Sequence, residues 1–548
     1  MKITVMKIIP MVLLGLFLCT LLSGVFLPVY SDEAVTKWSV SRFFLEDWKL
    51  LSFFPQCTES TNRLVSWVFY PAGILLSFLY SYLEPLGLRL SGIALSLVWF
   101  AVLAAWCFKQ TNDYVNALQR FAGLVAFSAL GIMPYLWVLS RPEQLMSLPV
   151  LIFCFAAFYF KEIKSTGWQC AVGLVLATLL SCFFYAHPKS LFFAPFILAV
   201  IWLATQTFHR GIRWFLILFT LALSFQVYRD SVTLTACANA PALRATFAAN
   251  TLMPGMLFSA PMEFIDAIYA NLLAFPERML QHLTFNAVSQ SGWLPPIETS
   301  APLLVVLNII IYYGIYFLVA ASHFAAFLAF LIQAVRLRVN APIVLAMLLA
   351  SADFINVLFF NIQNFYAGTQ FVPMSIILVA LLLQALPSRR FKGRVLGFGY
   401  TLILLSSAFS LITLLTIVTP AVVRNASAQQ SSLPGQPLSI PVLGVDEHLQ
   451  AIKKLSAACG VAPGSARSVV LDHMTYFAFL QDKNPIHVLY VSELGFGQDL
   501  NNGKLFPFLK SVGSPGVVTR CEWIPKEFKG AQIEGEMGYC CVNLDKVQ

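Results

Sequence analysis

Apolar residues fall along this chain in long unbroken runs, separated by short polar segments. A helix needs about 20 apolar residues to cross a bilayer. On that measure the pattern predicts eleven spans, roughly 8–27, 86–108, 121–139, 146–160, 167–185, 190–207, 214–229, 302–334, 341–361, 370–387 and 395–419. The fourth is short and contains Pro149, and the eighth is long enough to extend beyond the bilayer. The stretch Trp67–Leu83, with Pro71, Tyr80, Tyr82 and the following Glu84, reads as an interfacial helix rather than a span. After about residue 420 the pattern changes. A Ser-, Gln- and Pro-rich linker from Arg424 to Pro437 leads into alternating pieces. Asp446–Cys459 has helical spacing and stops at Gly460, while Ser468–Leu471, Ile486–Val491, Gly516–Glu522 and Tyr539–Leu544 read as strands. The expected fold is a membrane all-α bundle of about eleven transmembrane helices over 1–419, followed by an extracytoplasmic α/β domain over 420–548.

Composition agrees. Apolar residues make up 58% of the 548 and charged residues 11%, against about 45–50% and about 25% in soluble domains. A soluble enzyme is excluded, because its surface would lack charge. The net charge of +9 is a topology signal rather than a nucleic-acid signal, since it is unevenly placed. One set of loops carries Lys2, Lys7, Lys109, Arg120, Lys161, Lys164, Arg210, Arg213, Arg336, Arg338, Arg389, Arg390, Lys392 and Arg394 against Asp113 and Glu162. By the positive-inside rule these loops are cytoplasmic, so the N-terminus is inside and an odd number of spans puts the tail outside. A crossing at Trp67–Leu83 would reverse every later loop. The first segment is expected to be retained as a signal anchor, since no clear small-residue cleavage site follows it. Cys57, Cys237, Cys459, Cys521, Cys540 and Cys541 fall outside the spans, an even number that permits disulfides in an oxidising compartment.

Charges near a bilayer are costly, so those placed there need a reason. Three compact clusters follow spans one, three and five: Tyr30-Ser31-Asp32-Glu33, Ser140-Arg141-Pro142-Glu143 and His187-Pro188-Lys189. The topology brings them to one face. A carboxylate there can take a proton from an attacking hydroxyl. Cations can neutralise a leaving phosphate, Arg as a planar fork and Lys as a point charge. Each cluster alone also has a plain reading: a solvated loop start, a snorkelling Arg141, a capping His187, and Pro142 and Pro188 as helix starters.

The order of these clusters resembles the GT-C superfamily of integral-membrane glycosyltransferases. The Arg-Pro-Glu and Ala-His-Pro strings are similar to those of polyprenyl-phosphate-dependent arabinosyltransferases, and aminoarabinose transferases and protein mannosyltransferases share the plan. The motifs cover about residues 1–230. The chain is much shorter than the arabinosyltransferases and its tail does not match their carbohydrate-binding domain, which leaves sugar and acceptor open. The resemblance implies a polyprenyl-phosphate sugar donor, usually inverting transfer, a saccharide, lipid or protein hydroxyl acceptor, and a bacterial inner-membrane location. It implies Asp32 as general base and Glu33 as the group that orients it or binds acceptor or metal. Arg141, His187 and Lys189 would then hold the donor phosphate, with Glu143 positioning Arg141. No cofactor is implied beyond a candidate divalent cation at Asp32 and Glu33.

Further candidates lie elsewhere. The first outer loop, 28–85, holds an aromatic-rich amphipathic stretch over 43–51. The large outer loop 230–301 contains Trp293, which suits either stacking on a sugar or the membrane interface. Asp353 lies inside span nine and Asn364 near its outer end, as polar packing or as acceptor contacts. A transporter or flippase of a lipid-linked saccharide is the alternative function. It predicts internal repeats, broken helices and midplane charges; no convincing repeat is seen and the charges concentrate at one face, so Asp353 is the main residue in its favour.

Overall fold

A computed structural model describes residues 2–41, 82–111, 113–160, 163–235, 241, 245, 248–249, 251–252, 255–274, 283–285, 293–294, 302–360, 368–385, 394–428, 439–464, 467–493 and 497–547. The expected interfacial stretch Trp67–Leu83 lies outside these except for its last two residues, as do the amphipathic stretch 43–51, Cys57, Cys237 and Asn364.

Eight helices among the described residues are long and apolar enough to cross a membrane: Ile8–Phe26, Pro85–Lys109, Thr166–Ala186, Arg210–Arg229, Pro302–Val335, Ala341–Phe359, Gly368–Ala385 and Gly397–Arg424. By length and composition the chain is a helical integral membrane protein. In chain order the bundle has α1 (Lys2–Ser23), the short strand β1 (Val29–Tyr30), α2 (Ser31–Ser41), α3 (Pro85–Lys109), α4 (Tyr114–Ser128), the single turn α5 (Met133–Leu136), α6 (Pro142–Tyr159), α7 (Thr166–Ala186), α8 (Ala194–Ala204) and α9 (Arg210–Thr235). It continues with α10 (Pro261–Leu273), α11 (Pro302–Tyr316), α12 (Ser322–Val335), α13 (Ala341–Phe359), α14 (Gly368–Ala385), α15 (Arg394–Thr413) and α16 (Thr419–Arg424). A π-helical turn, Phe317–Ala321, joins α11 to α12, and another, Leu414–Val418, joins α15 to α16.

The expected spans near 146–160 and 190–207 are shorter apolar helices, and the one at 121–139 is not a single helix. Helix α4 stops at Ser128, and the whole stretch from Ala129 to Arg141 is buried. Gly131 makes the break at φ +57°, where an added Cβ would lie 1.9 Å from the Leu283 carbonyl oxygen. Irregular backbone at membrane depth is tolerable only when protein satisfies its polar groups. Here Gly131 N donates to Ser410 Oγ (2.9 Å), Ile132 N to Leu283 O (3.2 Å), and Trp137 O accepts from Ser96 Oγ and Gln144 Nε2. This stretch carries Ser140 and Arg141, so its course sets the site.

The C-terminal unit is built on one five-stranded sheet in the order β4-β3-β5-β7-β6. Its strands are β3 (Val470–Leu471), β4 (Ile486–His487), β5 (Gly516–Arg520), β6 (Ile533–Glu534) and β7 (Tyr539–Asn543). β3 runs parallel to both β4 and β5, while β7 is antiparallel to β5 and β6. Helix α17 (Val445–Cys459) packs on β7, with its apolar residues on one face and Gly460 at φ +84° ending it. Two disulfides, Cys459–Cys541 and Cys521–Cys540, tie α17 and the end of β5 to β7.

This unit is not tethered by its linker alone. The strand β2 (Ser439–Ile440) pairs antiparallel with β1, Val29 opposite Ile440 and Tyr30 opposite Ser439. Ala34 and Trp38 of α2 are buried in the same apolar cluster as Ile452, Leu471 and Tyr539. Trp38 stacks on Tyr476 with ring centroids 4.3 Å apart, and Lys37 Nζ lies 4.9 Å from the centre of the same ring. Helix α2, which begins with the first acidic cluster, is therefore clamped between the bundle and the C-terminal unit.

Candidate functional site

The three polar clusters sit at helix starts. Asp32 and Glu33 are in the first turn of α2; Arg141 caps α6 ahead of Pro142 and Glu143; His187 caps the 3-10 turn Pro188–Phe193. Proline at the first helical position fits because that N–H has no intrahelical partner. His187 Nδ1 accepts from Lys189 N at 3.1 Å, which fixes the ring over the turn that carries Lys189.

The two neighbouring carboxylates of α2 have different surroundings. Glu33 is fully buried and paired with Arg89 of α3, Nη2 to Oε2 at 2.8 Å and Nη1 to Oε1 at 3.3 Å. Tyr30 N (2.9 Å) and Ser140 N (2.6 Å) also donate to it. Arg89 spends its remaining donors on the carbonyls of Leu27, Pro28 and Val138. Gly92, one turn along α3, permits this approach, since a Cβ there would meet Val138 O at 2.0 Å. Glu33 thus joins α2, α3 and the stretch before α6. Its oxygens, each already accepting two hydrogen bonds, leave it poorly suited to acceptor or metal, and the Asp32–Glu33 pair does not present two carboxylates to a divalent cation. Among the described residues no three His, Cys, Asp or Glu side chains gather as a metal site.

Asp32, one residue earlier, keeps 41% of its side chain exposed. Its Oδ2 accepts from Arg141 Nη1 at 2.8 Å. The other edge of the same guanidinium faces Glu143, Nε to Oε2 and Nη2 to Oε1, both 3.2 Å. Arg141 is 7% exposed and Glu143 1%. Arg141, His187 and Lys189 all act electrostatically on Glu143, so the second and third clusters share one corner. Lys189 is buried, with its Nζ 5.0 Å above the Phe360 ring at the end of α13. Burial pushes His187 down to about 4, with Lys189 and Arg141 adding to the shift and Glu143 opposing it. His187 is therefore neutral near pH 7. The expected donor-side residues are thus together, with Asp32 at their edge.

The C-terminal unit reaches the same place. Tyr490 follows β4 and is buried; its phenol is pushed up by that burial and by the negative charge of Asp32. Sequence reading did not single out Tyr490 or Arg89. Arg89 had a usable signal, an arginine within an apolar run that demands a partner. Tyr490 had none, since only the docking of the tail brings it near Asp32.

Trp293 is fully buried, donates Nε1–H to Pro28 O at 2.9 Å and meets Tyr30 edge-on at 6.5 Å. Its ring face is packed, not presented for stacking on a sugar, so it braces the β1 segment. Asp353 is buried in the bundle, its Oδ2 3.3 Å from His323 Nε2 of α12. No family model and no curated protein sequence matches the chain.

Beside α2, His473 and His487 are buried with ring centroids 4.3 Å apart, and His487 also lies 5.1 Å from Trp38. Burial holds His473 at about 4 and His487 well below the ordinary histidine value of 6.5. Both folded values are depressed, so the unfolded chain takes up protons first as pH falls. The stability due to these neutral rings is complete above 6.5 and is lost as pH drops toward 4. The melting temperature of the C-terminal unit, followed by tryptophan fluorescence, is expected to fall by several degrees from pH 7 to pH 5. A flat profile would contradict the burial of these rings.

Proposed function

We propose that this protein is a membrane glycosyltransferase of GT-C type, moving a sugar from a polyprenyl-phosphate donor to a hydroxyl acceptor. The observation that carries the reading is the convergence of Asp32, Arg141, Glu143, His187 and Lys189 from three separate segments onto one end of the bundle. A water-poor corner with two buried cations and one buried carboxylate suits a phosphate at a membrane surface. An exposed carboxylate beside it suits a base working on an acceptor that arrives from solvent. The two disulfides of the C-terminal unit favour an oxidising compartment, and so an extracytoplasmic site and tail with a cytoplasmic N-terminus.

Arg141 links the two halves of the reaction. Its fork is shared between Glu143 and Asp32. An incoming donor phosphate competes with Asp32 for Nη1, since Glu143 holds the other edge. Donor binding then loosens Asp32 from its cation and frees its Oδ2 to meet the acceptor hydroxyl. As the acceptor oxygen attacks the anomeric carbon, its proton passes to Asp32 and the bond to the phosphate oxygen breaks. The charge left on the polyprenyl phosphate is met by Arg141 and Lys189.

The test is binding of polyprenyl phosphate to the purified protein. Arg141→Ala is expected to weaken it about 10- to 100-fold, the loss of one charge-assisted fork. Arg120→Ala, on α4 where Arg120 bonds Gln110 just past the far end of α3, is expected to leave it unchanged. Equal binding by wild type and Arg141→Ala would end the phosphate role. The alternative, a flippase of a lipid-linked saccharide, rests on the buried His323–Asp353 pair.

A further inference from the structure

The bundle holds a second polar centre that the transfer chemistry does not use. Asp353 lies six residues before the end of α13, so about 9 Å below that end of the bundle. On the same face, one turn closer to the end, is Asn356. Across the α13–α14 contact lies Gln370, whose amide is beside the Asp353 carboxylate but lacks hydrogen-bond geometry. All three are buried, as is His323. Among the described residues, Asp353 Oδ1 and both amide atoms of Asn356 and of Gln370 have no hydrogen-bond partner. Five unpartnered polar atoms in one region of an apolar bundle carry a large desolvation cost unless something else satisfies them. The helix facing them is also irregular: the π-helical turn Phe317–Ala321 ends just before His323, a feature that often marks functional positions.

His323 defines the charge state. Its Nδ1 is bonded to the Val319 carbonyl, which only accepts, so Nδ1 carries hydrogen. The contact of Nε2 with Asp353 Oδ2 then requires one further proton between them. The pair is neutral with that proton and carries one negative charge without it.

We propose that Asp353, Asn356, Gln370 and His323 form an intramembrane site for one small hard monovalent cation, sodium being the commonest, taken up in exchange for the proton of the His323–Asp353 pair. The donors are oxygens, a carboxylate and two amide carbonyls, which select hard cations over thiophilic ones. One carboxylate balances one positive charge; a divalent ion would leave an uncompensated charge in the bundle. In the exchange the proton leaves to solvent and sodium binds Asp353 Oδ1 with the two amide oxygens. The Nε2 lone pair of the now neutral imidazole accepts from an amide N–H. Among the described residues, the other charged side chains on helices packed against α13 and α14 are Lys189 and Glu143 at the near end, Glu263 and Asp266 on α10, and Arg120 on α4. The proposal is independent of the transfer reading.

The experiment uses the full chain in lipid nanodiscs, in sodium chloride or choline chloride at matched ionic strength. Sodium is expected to raise the melting temperature saturably, and to acidify a weakly buffered sample. Gln370→Met is expected to raise the half-saturating sodium concentration about tenfold, the loss of one ligand. Asp353→Asn is expected to remove both responses. If Asp353→Asn fails to fold, Asn356→Leu serves as the second ligand variant alongside Gln370→Met. Identical melting of wild type in the two salts, or an unchanged sodium response in Gln370→Met and Asn356→Leu, overturns the site and assigns these groups to water.

Discussion

Glu33→Ala is expected to be the most destabilising single change near the site, by about 3–5 kcal/mol. The carboxylate it removes accepts four hydrogen bonds, and the partner left behind, Arg89, has no exposed side-chain surface. A guanidinium buried without its anion bears the full desolvation cost, with three backbone carbonyls to offset part of it. The measurement is the melting temperature and monodisperse yield of the purified variant. Replacing both partners separates charge from shape. Glu33→Leu combined with Arg89→Met is expected to recover much of the lost stability, because neither group is then left unpaired. If Glu33→Ala melts like wild type, the pair is not the clamp described above.

Asp32→Asn is expected to behave in the opposite way. The side chain is substantially exposed, and its buried partner Arg141 keeps its two bonds to Glu143, so stability should change by less than about 1 kcal/mol. Transfer should fall by about 10²–10⁴-fold, the usual worth of a positioned base. Asparagine keeps the shape but cannot take the proton. The check is turnover of a polyprenyl-phosphate sugar by a variant whose melting matches wild type. Near-normal turnover would remove Asp32 from the mechanism. The two variants together form a sharp contrast: adjacent acidic residues, one expected to fail by unfolding and the other by loss of chemistry.

That contrast marks what a reading of sequence alone reaches. Asp32 and Glu33 are equivalent as letters, two carboxylates at a helix start. Their roles diverge because α2 turns one toward Arg89 and the other toward Arg141, a choice made by side-chain direction and not by composition. The long spans were legible because each is apolar over a full bilayer thickness. The stretch 129–141 was not, since it is as apolar as a helix and its break depends on Gly131 meeting the Leu283 backbone from a distant loop. The grouping of Arg141, Glu143, His187 and Lys189 was legible because charges are rare enough in this chain for spacing and alternation of loops to collect them. His323 was missed because a single histidine in an apolar run has no local feature that names its partner thirty residues on. Trp293 was given two exposed roles and has a buried one; a tryptophan next to glycine says nothing about the carbonyl its N–H will find.

The pairing of β1 with β2 bears on how the protein is made. These strands lie at opposite ends of the chain. A ribosome delivers α1, α2 and the helices that carry Arg141, Glu143, His187 and Lys189 long before residue 439 emerges. Until the last quarter of the chain has been made and folded, α2 lacks the surface that covers Ala34 and Trp38. A nascent or prematurely terminated polypeptide would thus hold Arg141, Glu143, His187 and Lys189 before α2 is fixed beside them. If the proposed transfer reaction is right, a lipid-linked sugar would be spared from hydrolysis by an unfinished chain, and catalytic competence would become a late checkpoint of biogenesis.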